Sequence, residues 1–207
     1  MQQADIRTRG RRRFRVVTTN SNHALPIAAN LLARNFTVAA ANTVWASDMT
    51  YIPTDEGWLY LAAMLDLFSR RIVGWSMGPA VTAELACRAL DMAWYRRSPV
   101  AGLIFHSDRG SQYASRCYTD LVAGHAIKAS MSRKGNCWDN ACSETLFGSL
   151  KVERLHGMKF HGHREAKNAT LDWLLWYDQS RLHSTLNYLS PAQFERQANA
   201  QQQALAA

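Results

Sequence analysis

The sequence predicts an α/β protein built on one mixed sheet of five strands and flanked by helices. Three strand-like runs come first, between about residues 50 and 75, and short turns connect them. Two further apolar runs, residues 103–105 and 126–130, then alternate with helical patterns. The chain has 207 residues, of which 47% are hydrophobic and 10% aromatic, so it can bury a core and is not a disordered protein.

The first three strands are predicted to form an antiparallel meander. Residues 50–52 are β-branched or aromatic and stop at Pro53. Residues 58–66 form an apolar run that is long enough for a central strand. Residues 72–75 return the chain after a turn at residues 69–71. The short connections favour antiparallel pairing.

Helical patterns follow the meander. Thr82 is a candidate N-cap, and apolar residues keep helical spacing from there to about residue 97. The run 103–105 has the pattern of a strand that is buried on both faces. The remaining helical patterns cover residues 115–123, 139–152 and 164–179.

Composition divides the chain into three parts. Residues 1–40 form a basic arm and approach segment, in which the apolar run 27–33 could form one helix. Residues 41–196 form the predicted catalytic core with its C-terminal helix. Residues 197–207 are rich in glutamine and alanine and are predicted to be a frayed tail.

The net charge of +8 is concentrated in two segments. Residues 1–40 carry +6 and residues 126–167 carry +4, while the rest is slightly acidic. Six arginines lie within nine positions of the arm: Arg7, Arg9, Arg11, Arg12, Arg13 and Arg15. This asymmetry favours nucleic acid as the partner, because such a cluster neutralises phosphates and releases counterions. The alternative is a solubilising tail.

The sequence carries no sign of a membrane protein or of a disulfide scaffold. The longest apolar stretch, residues 59–65, is too short to span a bilayer, and the four cysteines form no CxxC pair. We therefore expect free thiols in a reducing cytoplasm. His161 and His163 could hold zinc, but no paired cysteine spacing accompanies them, so ordinary exposed histidines are favoured.

Three carboxylates stand out by their positions in the predicted elements. Asp48 lies beside the first strand, Asp108 follows the fourth strand, and Glu144 lies within a helix. Crevices form at the carboxyl ends of strands in open α/β sheets. The 35 residues between Asp108 and Glu144 are weak evidence by themselves, because Asp48 and Glu84 have the same separation.

The surroundings of Glu144 favour chemistry on a phosphodiester. Lys151 lies about two helical turns further on, and the loop before the helix carries Arg133 and Lys134. Two or three carboxylates can hold two Mg²⁺ ions, which activate the attacking oxygen and stabilise the leaving oxygen of phosphoryl transfer. The alternative interpretation of each acid is a cap, a turn or a surface residue. Asp66 is a candidate fourth acid that could simply end a strand.

Around these residues the sequence resembles the integrase core of bacterial insertion-sequence transposases, and within them the OrfB transposases of the insertion sequence three family. The similarity covers roughly residues 16–196. The blocks that carry it are residues 45–52, 57–61, 65–75, 106–113 and 130–141, followed by Glu144, Leu150-Lys151, Tyr177-Asp178, Arg181, residues 183–186 and Ser190-Pro191.

This resemblance implies a ribonuclease H-like fold, a relationship to retroviral integrases, and an acidic metal triad of Asp48, Asp108 and Glu144. It implies a polynucleotidyl transferase that uses two Mg²⁺ ions, for which Mn²⁺ can substitute. Water would free a 3′-OH at the element's end, and that 3′-OH would attack another DNA strand. The expected DNA contacts are Lys151, Arg133, Lys134, Arg11, Arg12 and Arg13.

Partners and location follow from the same resemblance. We expect DNA ends and target DNA as substrates, a homo-oligomer on DNA, a DNA-binding partner from an upstream reading frame, no membrane, and a place in the bacterial cytoplasm at the nucleoid. Family members usually carry a longer N-terminal region with helix-turn-helix character, whereas Met1 lies 47 residues before Asp48. The alternatives are therefore a truncated, non-catalytic DNA-binding remnant and a nuclease of the same fold without strand transfer.

Overall fold

Five strands form a mixed sheet in the part of the chain that a computed structural model describes, residues 23–133 and 140–206. The strands are β1 (Val44–Thr54), β2 (Gly57–Asp66), β3 (Ile72–Gly78), β4 (Ile104–Ser107) and β5 (Lys128–Met131). Their order across the sheet is β3-β2-β1-β4-β5. The predicted α/β class with a mixed five-stranded sheet is confirmed.

Strand direction divides the sheet into two parts. β1 and β2 pair antiparallel from Trp45↔Asp66 to Thr54↔Gly57, and β3 pairs antiparallel with β2, so the predicted meander is confirmed. β4 lies parallel to β1, and β5 lies parallel to β4. β1 begins well before the predicted residue 50, because residues 44–47 are all buried and show no alternation of polar and apolar residues.

Helices cover both faces of the sheet. They are α1 (Ala83–Arg97), α2 (Arg116–Gly124), α3 (Ala141–Leu150), α4 (His163–Gln179) and α5 (Pro191–Ala206). α3 continues directly into a π-helical turn, Lys151–Leu155. The predicted cap of α1 is confirmed, since the Thr82 hydroxyl accepts a hydrogen bond from the N–H of Leu85 at 3.2 Å. None of the described helices is long and apolar enough to cross a membrane.

α1 and α2 pack on one face of the sheet. Their buried side chains form a cluster with those of the strands, to which Trp45, Leu85 and Phe105 belong. Each fully buried side chain of this size stabilises the fold by about 1.5–3 kcal/mol. Gly74 on β3 permits the close approach of α1, because a Cβ atom at that position would lie 2.3 Å from the carbonyl oxygen of Ala89.

α3 and α4 cover the opposite face. Leu146 and Leu150 of α3 and Trp173 of α4 belong to one buried cluster with Ala46 of β1. Leu150 is completely inaccessible to solvent. This packing holds α3 against β1, and α3 carries Glu144.

The segment before β1 is not helical, although residues 27–33 had the composition for one helix. The N–H of Leu31 donates to the Ser130 hydroxyl oxygen at 2.9 Å, and the carbonyl of Ala29 accepts from the N–H of Met131 at 3.3 Å. The contacts with β5 therefore use backbone groups that a helix would pair internally. In addition, a helix of only seven residues would be marginally stable by itself.

The structure also differs from the prediction at the C-terminus. Residues 197–206, predicted as a frayed tail, continue α5. Alanine and glutamine are favourable helix residues, so the composition that looks like low complexity also suits a helix. α5 is tied to the core by Glu195, whose carboxylate lies 2.7 Å from Arg97 Nη1 and 3.3 Å from Arg71 Nη1.

Candidate active site

The pairing between β1 and β4 ends close to two of the predicted acids, and we call the region around Asp48, Asp108 and Glu144 the crevice. The two strands pair over only three positions, of which the last is Ala46↔His106. Asp48 lies two residues beyond Ala46, and Asp108 lies two residues beyond His106 in the same direction. The parallel register therefore brings the two acids to neighbouring positions. The prediction that Asp108 follows a buried strand is confirmed.

Local hydrogen bonds orient both aspartates. Asp48 Oδ1 accepts from the N–H of Met49 at 2.7 Å, and Asp108 Oδ1 accepts from the N–H of Gly110 at 2.8 Å. A Cβ atom on residue 110 would lie 2.9 Å from the same Asp108 oxygen. Glycine at this position thus leaves room for the Asp108 carboxylate and supplies its donor.

Asp48 is the electrostatic centre of the crevice. Burial, the largest cause, and the neighbouring carboxylates of Asp108 and Glu144 raise its pKa from 3.8 to about 8. The N–H of Met49 and the ammonium group of Lys151 act in the opposite direction and lower the pKa. The structure thus brings three of the predicted residues, Asp108, Glu144 and Lys151, within electrostatic range of Asp48.

A buried hydroxyl pair next to the two aspartates was not predicted from the sequence. The hydroxyl oxygens of Ser47 and Tyr113 lie 2.8 Å apart and share a hydrogen bond. Burial, and then the charges of Asp108 and Asp48, raise the pKa of Tyr113 well above its usual value. The phenol therefore stays protonated beside the acids. The only sequence signal is that each residue lies close in the chain to one of the two aspartates.

Lys151 lies against Tyr51, an aromatic residue of the meander that was not predicted as a site residue. Its Nζ is 4.5 Å from the centroid of the Tyr51 ring. Tyr51 in turn contacts Trp58 edge to face, with ring centroids 5.1 Å apart. Burial lowers the pKa of Lys151, while the charge of Asp48 raises it.

The donor set of the crevice suits a hard divalent cation. Carboxylate oxygens are the ligands that Mg²⁺ prefers, and neighbouring carboxylates destabilise one another unless a cation or a proton neutralises them. Within residues 23–133 and 140–206, no group of three or more His, Cys, Asp or Glu side chains is arranged to hold a metal ion. Asp48, Asp108 and Glu144 are therefore electrostatic neighbours that do not converge on one ligand position.

Asp66, the candidate fourth acid, ends β2 and has a structural role. Its carboxylate accepts hydrogen bonds from the N–H of Asn42 at 2.6 Å, from Trp45 Nε1 at 3.2 Å and from the N–H of Phe68 at 2.9 Å. It also accepts from the N–H of Ser69 at 3.2 Å. The interpretation that Asp66 ends a strand is confirmed.

The remaining predicted DNA contacts lie just after β5 or outside the described residues. Arg133 is exposed just after β5. Lys134, Arg11, Arg12 and Arg13 lie outside the described residues.

The two histidines considered for zinc face the turn between β1 and β2. His161 Nδ1 lies 3.2 Å from the carboxylate of Asp55, and the N–H of His163 donates to Glu56 at 2.8 Å. These contacts support ordinary histidines rather than metal ligands. Free thiols are confirmed for the three cysteines that the structure describes, Cys87, Cys117 and Cys142.

Comparisons with known proteins show the family of the chain. One integrase core domain model matches residues 38–137, and a second matches residues 125–191. Transposase InsF for insertion sequence IS3fB of Escherichia coli strain K12 is 47% identical over 194 residues, which make up 93% of this chain and 67% of that protein. The chain belongs to the IS3 family of transposases.

A second relative supports the same membership. The insertion element IS600 uncharacterized 31 kDa protein of Shigella sonnei is 46% identical over 190 residues, which make up 91% of this IS3-family chain and 70% of the relative. The chain thus spans about two thirds of the length of the relatives it matches.

Solved structures share the fold of this IS3-family chain at low sequence identity. The catalytic core domain of HTLV-2 integrase in complex with magnesium, in its dimeric form, has a TM-score of 0.56 at 16% identity over 75% of this chain and 97% of its own. The BIV integrase core has a TM-score of 0.59 at 16% identity, over 78% and 98%. A chain of the simian T-cell lymphotropic virus intasome reaches 0.65 at 17% identity, over 86% and 61%. The predicted ribonuclease H-like fold is confirmed.

Proposed function

We propose that this IS3-family chain is the catalytic core of a DDE transposase, which cleaves DNA and joins the freed 3′ end to a second DNA strand. The observation that carries the proposal is the electrostatic coupling of Asp48 to Asp108 and Glu144 at one crevice of an integrase-type fold. Asp48 lies on β1 and Glu144 on α3, and acids on such elements keep a more defined geometry than acids on loops. IS3-family membership supports DNA transposition as the process.

Asp48, Asp108 and Glu144 are the residues that would hold two Mg²⁺ ions, with Mn²⁺ as a substitute. Bound divalent ions supply activation of the attacking oxygen and stabilisation of the leaving oxygen. Asp48, whose pKa lies near 8, has to lose its proton before it can act as a ligand. Tyr113 and Ser47, which share a buried hydrogen bond, stabilise the position of β1 beside the loop after β4.

Both chemical steps exchange one bond at phosphorus for another. In the first, the oxygen of water bonds to phosphorus at the element's end while the bond to the 3′ oxygen breaks, which leaves a 3′-OH and a 5′-phosphate. In the second, the oxygen of that 3′-OH bonds to a phosphorus of the target strand, and the 3′ oxygen of the target leaves. No covalent intermediate with the protein forms.

Basic residues of the chain would bind the phosphate backbone of element ends and target DNA. We assign this role to Lys151 and Arg133, together with Lys134, Arg11, Arg12 and Arg13. The similar integrase structures include dimeric and trimeric forms and an intasome, which supports a homo-oligomer on DNA for this chain. A partner encoded upstream would add end recognition. The reaction would take place in the bacterial cytoplasm, at the nucleoid.

Strand transfer on an oligonucleotide duplex that carries the element's end tests the proposal. With Mg²⁺, the wild-type chain should produce both cleaved and joined strands. The double variant Asp108→Asn, Glu144→Gln should lower both products by at least about 10³-fold, because the residues act as one unit. Full activity of the double variant would contradict the proposal.

A matched control separates the site from a general effect of charge. Asp120 is exposed on α2, where it lies 3.5 Å from Arg116, and Asp120→Asn should leave both products unchanged. The products also discriminate between the alternatives. Hydrolysed ends without joined strands would indicate a nuclease, and DNA binding without cleavage would indicate a non-catalytic remnant.

A further inference from the structure

We propose that Tyr51 and Trp58 are positioning residues, which hold the ammonium group of Lys151 beside the catalytic crevice so that it meets a phosphate of the bound DNA strand. This inference rests on the proposed function, because it assigns DNA as the ligand of the crevice. It concerns two aromatic residues that the acidic triad does not involve.

The aromatic pair is held by the most extensively paired part of the sheet. Tyr51 lies on β1 opposite Tyr60, and Trp58 lies on β2 opposite Pro53. The two rings meet at an interplanar angle of 89°, with centroids 5.1 Å apart. An edge-to-face contact of this kind is favourable, so Trp58 supports the Tyr51 ring from the side. Trp58 remains 36% exposed, so its ring also borders solvent.

Lys151 reaches the Tyr51 ring from the end of α3. Its Nζ lies 4.5 Å from the Tyr51 centroid, within the range of a cation–π contact. The residue begins the π-helical turn that extends α3, directly after the fully buried Leu150. The backbone of Lys151 is therefore anchored, and the ring restricts a side chain that otherwise has many rotamers.

The charge of Lys151 acts on the crevice from this position. Its ammonium group lowers the pKa of Asp48, and the Asp48 charge raises the pKa of Lys151. Among the described residues, no carboxylate lies at salt-bridge distance from Lys151. Lys151 thus contacts the Tyr51 ring and at the same time acts electrostatically on Asp48.

Contact with a ring differs from a salt bridge in one respect that matters for DNA. A carboxylate partner neutralises a cation, whereas an aromatic ring orients the cation and leaves its full charge available. Two other cations near this helical segment have carboxylate partners. Arg181 Nη2 lies 2.6 Å from Glu153, and Arg154 Nη2 lies 3.5 Å from Asp172. Lys151 is the member of this group that keeps its charge for an external phosphate.

DNA binding without catalysis tests the inference. Fluorescence anisotropy of a labelled duplex that carries the element's end is measured over a range of salt concentrations with the full chain and its variants. Lys151→Gln should weaken binding and reduce the salt slope by about 1. Tyr51→Leu should weaken binding about fivefold, consistent with a lost cation–π contact, and Tyr51→Phe should restore wild-type affinity because the ring is kept.

The double variant gives the decisive comparison. Tyr51→Leu combined with Lys151→Gln should bind no more weakly than Lys151→Gln alone, because the ring acts through the lysine. Additive losses, or a Tyr51→Phe variant as weak as Tyr51→Leu, would overturn the proposal. Tyr95, which is 77% exposed on α1, provides the control, and Tyr95→Leu should bind like the wild type.

Two further measurements keep the result clear. If Tyr51→Leu does not fold, NMR of the wild-type chain decides, since protons above an aromatic ring are shifted upfield. An upfield shift of the Lys151 ε-protons supports the contact, and ordinary shifts overturn it. A wild-type chain that binds DNA but shows no strand transfer would count against the proposed function alone, because the coupling between Tyr51 and Lys151 is measured by binding.

Discussion

Asp48 and Asp66 lie on the paired strands β1 and β2, and burial raises the pKa of both carboxyl groups. Around Asp66 the other main influences offset part of this increase, because the N–H groups of Asn42, Ser69 and Phe68 and the charge of Arg97 all lower the pKa, which remains raised. Around Asp48, the neighbouring acids increase the cost of ionisation. Asp66 thus has several hydrogen-bond donors around it, whereas Asp48 has two other carboxylates beside it.

This difference separates a structural acid, Asp66, from Asp48, which we propose to be functional. A buried carboxylate that accepts several hydrogen bonds is stabilised by the fold and stabilises it in return. A carboxylate that lies beside other carboxylates is unfavourable until a proton or a cation neutralises the group. Such an arrangement costs stability and is typical of sites where binding or catalysis needs it.

The largest expected effect is at Asp66. Asp66→Asn places an NH₂ group where the carboxylate now accepts hydrogen bonds from backbone and indole donors, so buried donors lose their partner. We expect the free energy of unfolding to fall by about 3 kcal/mol, measured as a lower urea midpoint. Asp55→Asn at an exposed position of the β1–β2 turn should change it by less than about 0.5 kcal/mol. Equal losses of unfolding free energy in the two variants would show that Asp66 contributes no more to stability than an exposed acid does.

Position and local context made Asp108 and Glu144 candidates, and the resemblance assigned them to a metal triad. Asp108 follows a short buried strand, and Glu144 lies among polar residues of a helix that starts after a basic loop. Asp48 was a candidate because it lies beside the first predicted strand, and the resemblance assigned it to the same triad. All three positions depend on neighbours that are close in the chain or on motif blocks.

The roles of other residues could not be predicted because they depend on distant partners. Asp66 accepts from Asn42, 24 residues earlier, and Glu195 meets Arg97, 98 residues earlier. No local pattern indicates such pairs. Tyr51 has the pattern of an ordinary strand residue, and only the packing of α3 on β1 places Lys151 over its ring.

At Asp48 we expect the opposite effect, a rise in the free energy of unfolding when the carboxylate is removed. Its folded pKa of about 8 lies above the unfolded value, so its contribution to stability is fully present below about pH 4 and is lost as the pH rises through 8. Asp48→Asn should remove this loss and raise the free energy of unfolding at pH 8 by about 2 kcal/mol without metal. Thermal unfolding at pH 4, 6 and 8 measures the difference, which should grow with pH.

Mg²⁺ provides the control for this prediction. The ion should raise the melting temperature of the wild-type chain more than that of Asp48→Asn, because it binds the ionised site of the folded state. An Asp48→Asn variant that is less stable than the wild type at pH 8 would contradict this prediction. It would mean that surrounding donors stabilise the Asp48 carboxylate, as they do the carboxylate of Asp66.

The smallest expected effect is at Asp178, whose electrostatic surroundings are intermediate between those of Asp48 and those of Asp66. Burial raises its pKa to about 6, while the N–H of Ile72 at 2.8 Å and the charge of Arg71 lower it. Stability from this group is therefore fully present below about pH 4 and is lost as the pH rises through 6. In Asp178→Asn the side-chain amide oxygen can still accept from Ile72, so the variant should equal the wild type at pH 4 and exceed it by less than about 1 kcal/mol at pH 7. Urea unfolding at both pH values measures this, and a less stable variant at pH 7 would show that the ion pair with Arg71 outweighs the burial of Asp178.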